Sequence, residues 1–170
     1  MKLRLFYALW PTPLVRTALA EAARPLLEAC RGRWVPKRNY HLTLAFLGGV
    51  PAQRLEELHA AAAAVRVEPF TLHIDRHGHW RRPQVAWLGC SQPPAAATAL
   101  AENLRHALEP LGFQPDPRPF RPHLTVLRGC RRCDWAGEIE PVEWPVSSFV
   151  LVRSETLPAG PICRVVWPPA

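Results

Sequence analysis

The sequence predicts an α+β fold of antiparallel sheets with helices packed on their outer faces, and three observations lead there. Read along the chain, the elements run strand, helix, strand, helix, strand, strand, helix, strand, strand, strand. That order fits neither strict βαβ alternation nor a coiled-coil repeat. The length of 170 residues suits one domain with a sizeable core. With 48% hydrophobic and 21% charged residues, the composition is that of a globular chain.

Residues 2–10 alternate apolar with mixed residues and read as a strand. Thr12-Pro13 supplies a helix N-cap followed by proline at the first helical position, opening a helix to about Cys30. Pro25 is expected to kink or divide it. A strand over Tyr40–Leu47 is expected to end at Gly48-Gly49. Pro51 then starts a helix with Leu55, Leu58, Ala62 and Val65 at helical spacing. Phe70–Asp75 and Val85–Gly89 read as strands, with residues 77–83 as the loop between them. Pro94–Leu111 is a third helix, with Leu100, Leu104, Leu108 and Leu111 on one side. A proline-rich approach leads to a strand from His123 to Arg128. An irregular stretch over 129–145 and strands near 148–154 and 162–167 finish the chain.

The balance of Lys+Arg 21 against Asp+Glu 14 gives a formal charge of +7. Lys2 and Lys37 are the only lysines, so 21 − 2 = 19 of the cations are arginines. Arginine suits bidentate phosphate recognition and stacking on bases, but a GC-rich codon bias is the first explanation of a chain rich in Arg, Ala and Pro. No apolar run approaches the roughly 18 residues of a membrane span, and Pro11 ends the short apolar start without a signal-peptide cleavage site. A cytoplasmic protein is expected. The five cysteines (Cys30, Cys90, Cys130, Cys133 and Cys163) are an odd number and are expected to be reduced thiols. Cys130 and Cys133 have the spacing of half a zinc site, but no second pair completes four ligands.

Two segments echo each other. Asn39-Tyr40-His41-Leu42-Thr43-Leu44 and Arg121-Pro122-His123-Leu124-Thr125-Val126 each carry His-Leu-Thr before an aliphatic residue, 123 − 41 = 82 positions apart. On a strand, His41 and Thr43 share one face and Leu42 and Leu44 the other, and the second copy repeats this. Each strand thus offers an imidazole beside a hydroxyl, backed by a core face. One such copy is an ordinary edge strand; two, half a chain apart, call for a shared cleft. Two imidazoles facing one site can act as general base and general acid near neutral pH. Arg128 lies on the opposite parity from His123, so a bend must turn it if it is to hold phosphoryl oxygens. No carboxylate lies near either motif to cage a metal, and no phosphate-cradling glycine loop is present. Metal-free and cofactor-free phosphodiester chemistry is the reading. His59, His73 and His106 are expected at the surface. His77 and His79 belong to the Arg-rich loop containing Trp80, within reach of a ligand.

Paired His-x-Thr-x motifs resemble the signature of the 2H phosphoesterases. The longer segments Asn39–Gly48 and Arg118–Arg128 are similar to the bacterial RNA 2',3'-cyclic phosphodiesterase (2'-5' RNA ligase) family, as are Leu5-Phe6-Tyr7-Ala8, Val85–Gly89 and Phe149-Val150-Leu151. The likeness covers about residues 2–167. It departs at Cys163, where the family usually has tyrosine, and in a short tail. The resemblance implies a single domain, 1–170, with two lobes related by a pseudo-twofold about a V-shaped cleft, one motif (41–44 and 123–126) from each. It implies that His123 accepts a proton from water while His41 donates one to the departing 3' oxygen. Thr43, Thr125 and Arg128 would hold the phosphate, and the reverse reaction would make a 2'-5' linkage without ATP. The symmetry of this sequence permits either order of acid and base. Tyr7, Tyr40, Trp80, Phe120 and Arg121 are candidate base or RNA contacts. RNA with 2',3'-cyclic phosphate ends, tRNA fragments among them, is the expected partner of a monomer. The alternatives are a 2H enzyme for a small cyclic nucleotide or ADP-ribose cyclic phosphate, and a non-catalytic RNA-binding protein.

Overall fold

Alternation in the first strand sets the layering of the molecule. In β1 (Lys2–Leu9), Leu3, Leu5, Tyr7 and Leu9 enter the main core, while Phe6 and Ala8 pack on the opposite face. β1 is flanked by β3 (Leu42–Pro51) and β9 (Val150–Leu157), and β10 (Gly160–Trp167) completes a sheet of order β10-β9-β1-β3. A second sheet has the order β2-β7-β6-β5, from β2 (Arg33–Trp34), β7 (His123–Arg128), β6 (Val85–Gly89) and β5 (Arg76–Trp80). β4 (Phe70–Ile74) and β8 (Val142–Val146) form a separate two-stranded ribbon. Every pairing is antiparallel. The computed structural model describes residues 1–168, so the last two residues of the expected 1–170 domain lie outside the described range.

Three helices cover the sheets. α1 (Pro13–Ala29) buries Leu19, Ala23 and Leu26 and packs against β7 and β8. α2 (Leu55–Ala63) packs on α3 (Ala95–Leu108), which lies against β3. One apolar cluster runs through both sheets, joining Leu5 and Leu42 to Leu88, Leu124 and Val126. β3 and β7, the two motif strands, contact each other where the sheets meet. Among the described residues no helix is long and apolar enough to cross a membrane.

Several boundaries differ from the sequence reading. α1 runs unbroken through Pro25. Pro25 and Glu21 are both exposed, so the Glu21 carbonyl that loses its helical partner faces water. β3 does not stop at Gly48-Gly49 but pairs on to Pro51, with Gly48 taking a positive φ of 73° where the register shifts. The helix after Pro51 begins as one 3-10 turn (Ala52–Arg54) before α2. The expected loop over 77–83 is mostly β5, and the expected irregular stretch contains β8, whose Val142, Trp144 and Val146 alternate inward. The cysteines are not all reduced: Cys30 and Cys133 are bridged, with Cα atoms 5.1 Å apart, and Cys90, Cys130 and Cys163 stay free. Spacing drew attention to Cys130 and Cys133, but a pairing across 103 residues follows from the fold alone.

Candidate active site

Register places the first motif on the open face of its sheet. Thr43 pairs with Ala8, so it shares the face of Phe6 and Ala8 rather than that of Tyr7. His41 lies just before β3, with its ring 4.6 Å from Phe6 and stacked on Trp10 at 6.1 Å and 14°. The loop leading to it is pinned twice. Asn39, the one buried polar residue among those described, donates from Nδ2 to the Pro161 carbonyl (2.7 Å) and accepts from the Cys163 amide (3.3 Å). Arg16 donates to the carbonyls of Lys37 and Arg38 and stacks over Trp10 at 4.9 Å.

The second motif is placed by β7. His123 and Thr125 stand opposite Gly89 and Trp87 on β6, and the His123 ring meets Trp80 edge-on at 4.5 Å and Trp87 at 6.5 Å. The Trp87 ring lies directly over Gly78, where a Cβ would come within 2.2 Å of it. Arg128 resolves its parity through a β-bulge. Thr125 pairs with Trp87 and Leu127 with Ala86, so Val126 is the extra residue. Val126 and Leu127 are both buried, and alternation resumes with Arg128 on the side of His123 and Thr125. Arg33, paired with Arg128 across β2, shares that side.

The two histidines have the same internal arrangement. Nδ1 of His41 lies 2.7 Å from the Asn39 carbonyl, and Nδ1 of His123 lies 2.8 Å from the Arg121 carbonyl. A carbonyl only accepts, so each Nδ1 carries the proton and each Nε2 is left for the shared face. Their surroundings differ. Burial against Phe6 and Trp10 lowers the His41 pKa to about 4, against the hydrogen bond to Asn39, and the charges of Arg128, His123 and Arg16 lower it further. Burial also lowers the His123 pKa, with Arg128 adding to the effect. Arg128 therefore acts on both imidazoles, and His123 on His41. The structure brings His41, Thr43, His123, Thr125 and Arg128 onto facing surfaces around one charge.

Other expected contacts fall elsewhere. Tyr7 is fully buried and its hydroxyl donates to the Leu58 carbonyl at 2.7 Å, while Tyr40 is 2% exposed. Neither presents a ring to a base. Phe120 packs against the main core, and Arg121 serves the site through its carbonyl, its side chain being exposed. His77 and His79 are engaged by the carbonyls of Gly137 (2.8 Å) and Cys130 (2.6 Å). Trp80 alone of the proposed aromatics meets a motif histidine. Sequence reasoning missed Phe6, Trp10, Arg16 and Phe46; Phe46 is 51% exposed, with Arg4 stacked on it at 5.0 Å. The even positions of β1 and the residue just after it carried the available signal, since Arg4, Phe6, Ala8 and Trp10 form one stripe. Among the described residues no group of three or more His, Cys, Asp or Glu is placed to hold a metal.

Comparison with known proteins agrees with this geometry. The family described as LigT like phosphoesterase matches twice, over residues 9–87 and 88–163, one motif falling in each match. The RNA 2',3'-cyclic phosphodiesterase of Escherichia coli K12 is 34% identical over 163 residues, spanning 91% of this chain and 93% of that protein. The protein of the same name from Thermus thermophilus is 35% identical, spanning 96% and 88%. The crystal structure of E. coli LigT complexed with 3'-AMP superposes with a TM-score of 0.85 at 33% identity, covering 98% of this chain and 96% of that one. Two tandem motif-bearing halves, matched over nearly the whole length, place the chain in the LigT-like family of 2H phosphoesterases.

Proposed function

We propose that this protein hydrolyses 2',3'-cyclic phosphate ends of RNA to 2'-phosphomonoesters by two-histidine acid–base catalysis. The observation that carries the proposal is the matched pair of imidazoles, each with Nδ1 committed to its own backbone and Nε2 free toward a common arginine. Neutral His123 accepts a proton at Nε2 from the attacking water, and the new P–O bond forms as the P–O3' bond breaks. Protonated His41 delivers its Nε2 proton to the departing 3' oxygen, and proton exchange with solvent resets the pair. Thr43 and Thr125 donate hydroxyls to the non-bridging oxygens, and Arg128 balances the charge that builds on them. The order of roles follows the family, and this chain gives it a condition. In the free enzyme burial first, and then the charges of Arg128, His123 and Arg16, hold His41 neutral. The anionic substrate, paired with Arg128, reverses that bias and loads His41 with the proton it must donate.

RNA is favoured over a small cyclic nucleotide because Arg4, Arg33 and the aromatic Phe46 extend the cationic face around Arg128. The test is incubation with an oligoribonucleotide bearing a 2',3'-cyclic end, in EDTA, with the product resolved as 2'- or 3'-phosphate. Exclusive 2'-phosphate is expected. A 3'-phosphate product, or loss of activity on chelation, would overturn the reading. The reverse reaction, joining a 5'-hydroxyl to the cyclic end, uses the same proton positions and is tested by supplying a 5'-hydroxyl oligonucleotide in excess.

A further inference from the structure

Beyond Arg128 the chain leaves the active face and enters a basic hollow that the proposed reaction does not use. β2 and β7 end side by side at the Arg33–Arg128 pair. The segments that continue past it, from Gly32 back to Ala29 and from Gly129 onward, wall a depression of ≈ 610 Å³. Arg31 lines it from the first segment, and Arg131 and Trp135 line it from the second. Arg132 is committed to Asp134, whereas Arg31, Arg33 and Arg131 have no carboxylate partner among the described residues. Trp135 is held in place by the His77 ring at 4.5 Å and by Gly137, where a Cβ would collide with the indole. A cluster of unpaired cations at the ends of two paired strands that already carry Arg33 and Arg128 is unfavourable until an anion enters.

The two walls are also fastened to each other. Cys30 immediately precedes Arg31 and Cys133 immediately follows Arg132, so the disulfide joins the chain segments that carry Arg31 and Arg131. Gly32 brings the same segments together by close approach: a Cβ there would meet the Arg128 carbonyl at 2.7 Å.

We infer that this hollow is a second phosphate subsite, in which Arg31 and Arg131 hold a backbone phosphate of the RNA strand whose cyclic end lies at the histidines. The Cys30–Cys133 bridge sets the spacing of its walls. The inference rests on the proposed function for the identity of the strand. Trp135 offers a face to a base of that strand. The subsite therefore separates a long substrate, which reaches it, from a cyclic mononucleotide, which does not.

The experiment compares turnover of a 2',3'-cyclic mononucleotide and of a cyclic-ended oligoribonucleotide by wild-type protein and by the double variant Arg31→Ala, Arg131→Ala. KM for the oligonucleotide is expected to rise about tenfold, the loss of one charged phosphate contact. kcat/KM for the mononucleotide stays within about twofold. The slope of log KM against log salt falls by about 0.7, the single-strand value for one phosphate. Unchanged oligonucleotide KM, or a parallel loss on both substrates, overturns the subsite. Fluorescence anisotropy with a labelled single-stranded oligoribonucleotide, on the His41→Ala background, reads the same contacts without chemistry. If wild type turns over neither substrate while the arginine variant still weakens this binding, the proposed reaction fails and the subsite stands. Equal binding by both proteins overturns the subsite whatever the activity. The variant Cys30→Ser, Cys133→Ser, compared at a temperature where circular dichroism shows it folded, is expected to raise oligonucleotide KM in the same direction. An unchanged value would remove the bridge from the inference.

Discussion

His41 should make the protein measurably acid-sensitive well above the carboxylate range. Its pKa falls from an ordinary 6.5 to about 4 through burial, and the unfolded chain regains the ordinary value. The unfolded state therefore takes up the proton first as pH drops, and stability is lost between about 6.5 and 4. Below that window the native His41 is itself protonated and the loss stops growing. From about pH 7 to about pH 5, a group with these two values contributes a loss of about 2 kcal/mol. For a domain of this size that corresponds to a fall of about 4–8 °C in Tm. His123 is shifted in the same direction and adds to the loss. Urea unfolding at the two pH values, on wild type and on His41→Gln, isolates the contribution of His41. Substitution also removes the stack on Phe6 and Trp10, but that cost is present at both pH values and cancels in the difference. His106→Gln, at an exposed position on α3, controls for losing any imidazole. The pH-dependent loss should be about 2 kcal/mol smaller in His41→Gln. If the two proteins lose the same amount, His41 is not held neutral by its surroundings and the reasoning from burial fails.

His41→Ala and His123→Ala should each lower kcat on a cyclic-ended oligonucleotide by about 10²–10⁴ with the fold intact, and retention of more than about a tenth of the rate would contradict their roles. kcat/KM should be bell-shaped with its optimum between about 4 and 6.5, because the working pair needs one proton and both pKa values are lowered in the free enzyme. A plateau at alkaline pH would refute it. Arg128→Ala should cost about 10²–10³ in kcat, the range for removing a preorganised donor to a developing anion, with Arg128→Lys recovering part. Tyr7→Phe should cost about 1 kcal/mol in denaturant unfolding and leave kcat unchanged, since its hydroxyl bonds a core carbonyl rather than substrate.

The motif strands were legible because two constraints coincide there: alternation puts aliphatic residues inward, and the repeat of His-Leu-Thr marks what faces outward. Arg128 was legible as a candidate but not as a placement. Its position depends on Val126 being extra in the ladder, and a bulge is fixed by the partner strand rather than by local composition. Tyr7 and Tyr40 failed for a related reason. Proximity in sequence to a motif says nothing of face, and Tyr7 shares parity with Leu5 and Leu9, which go to the core. β8 was overlooked because Pro145 interrupts its pattern, yet in a two-stranded ribbon proline sits on an edge without costing a ladder bond elsewhere. The Cys30–Cys133 pairing and the Arg16–Trp10–His41 stack join elements remote in sequence, and only the tertiary fold defines them.

What the repeated motif hides is how unequal its two copies become. β3 lies at the edge of its sheet, while β7 runs between β2 and β6. His41 is backed by Phe6 and Trp10 and lies near Arg128, Arg16 and His123; His123 is flanked edge-on by Trp80 and Trp87 and shares its strand with Arg128, which acts on both rings. In the absence of substrate, the surroundings of His41 therefore disfavour its protonated form. For His41 to act as the acid, substrate must reverse that preference, and its phosphate is the available charge. Binding and proton placement are then one event: a neutral analogue would leave His41 unprotonated, whereas an anion against Arg128 presents the leaving oxygen to a protonated His41. The pKa of His41, followed by NMR as inorganic phosphate is added, should rise by at least about one unit, and a pKa that stays near its unliganded value at saturation would assign the acid's role to His123 instead.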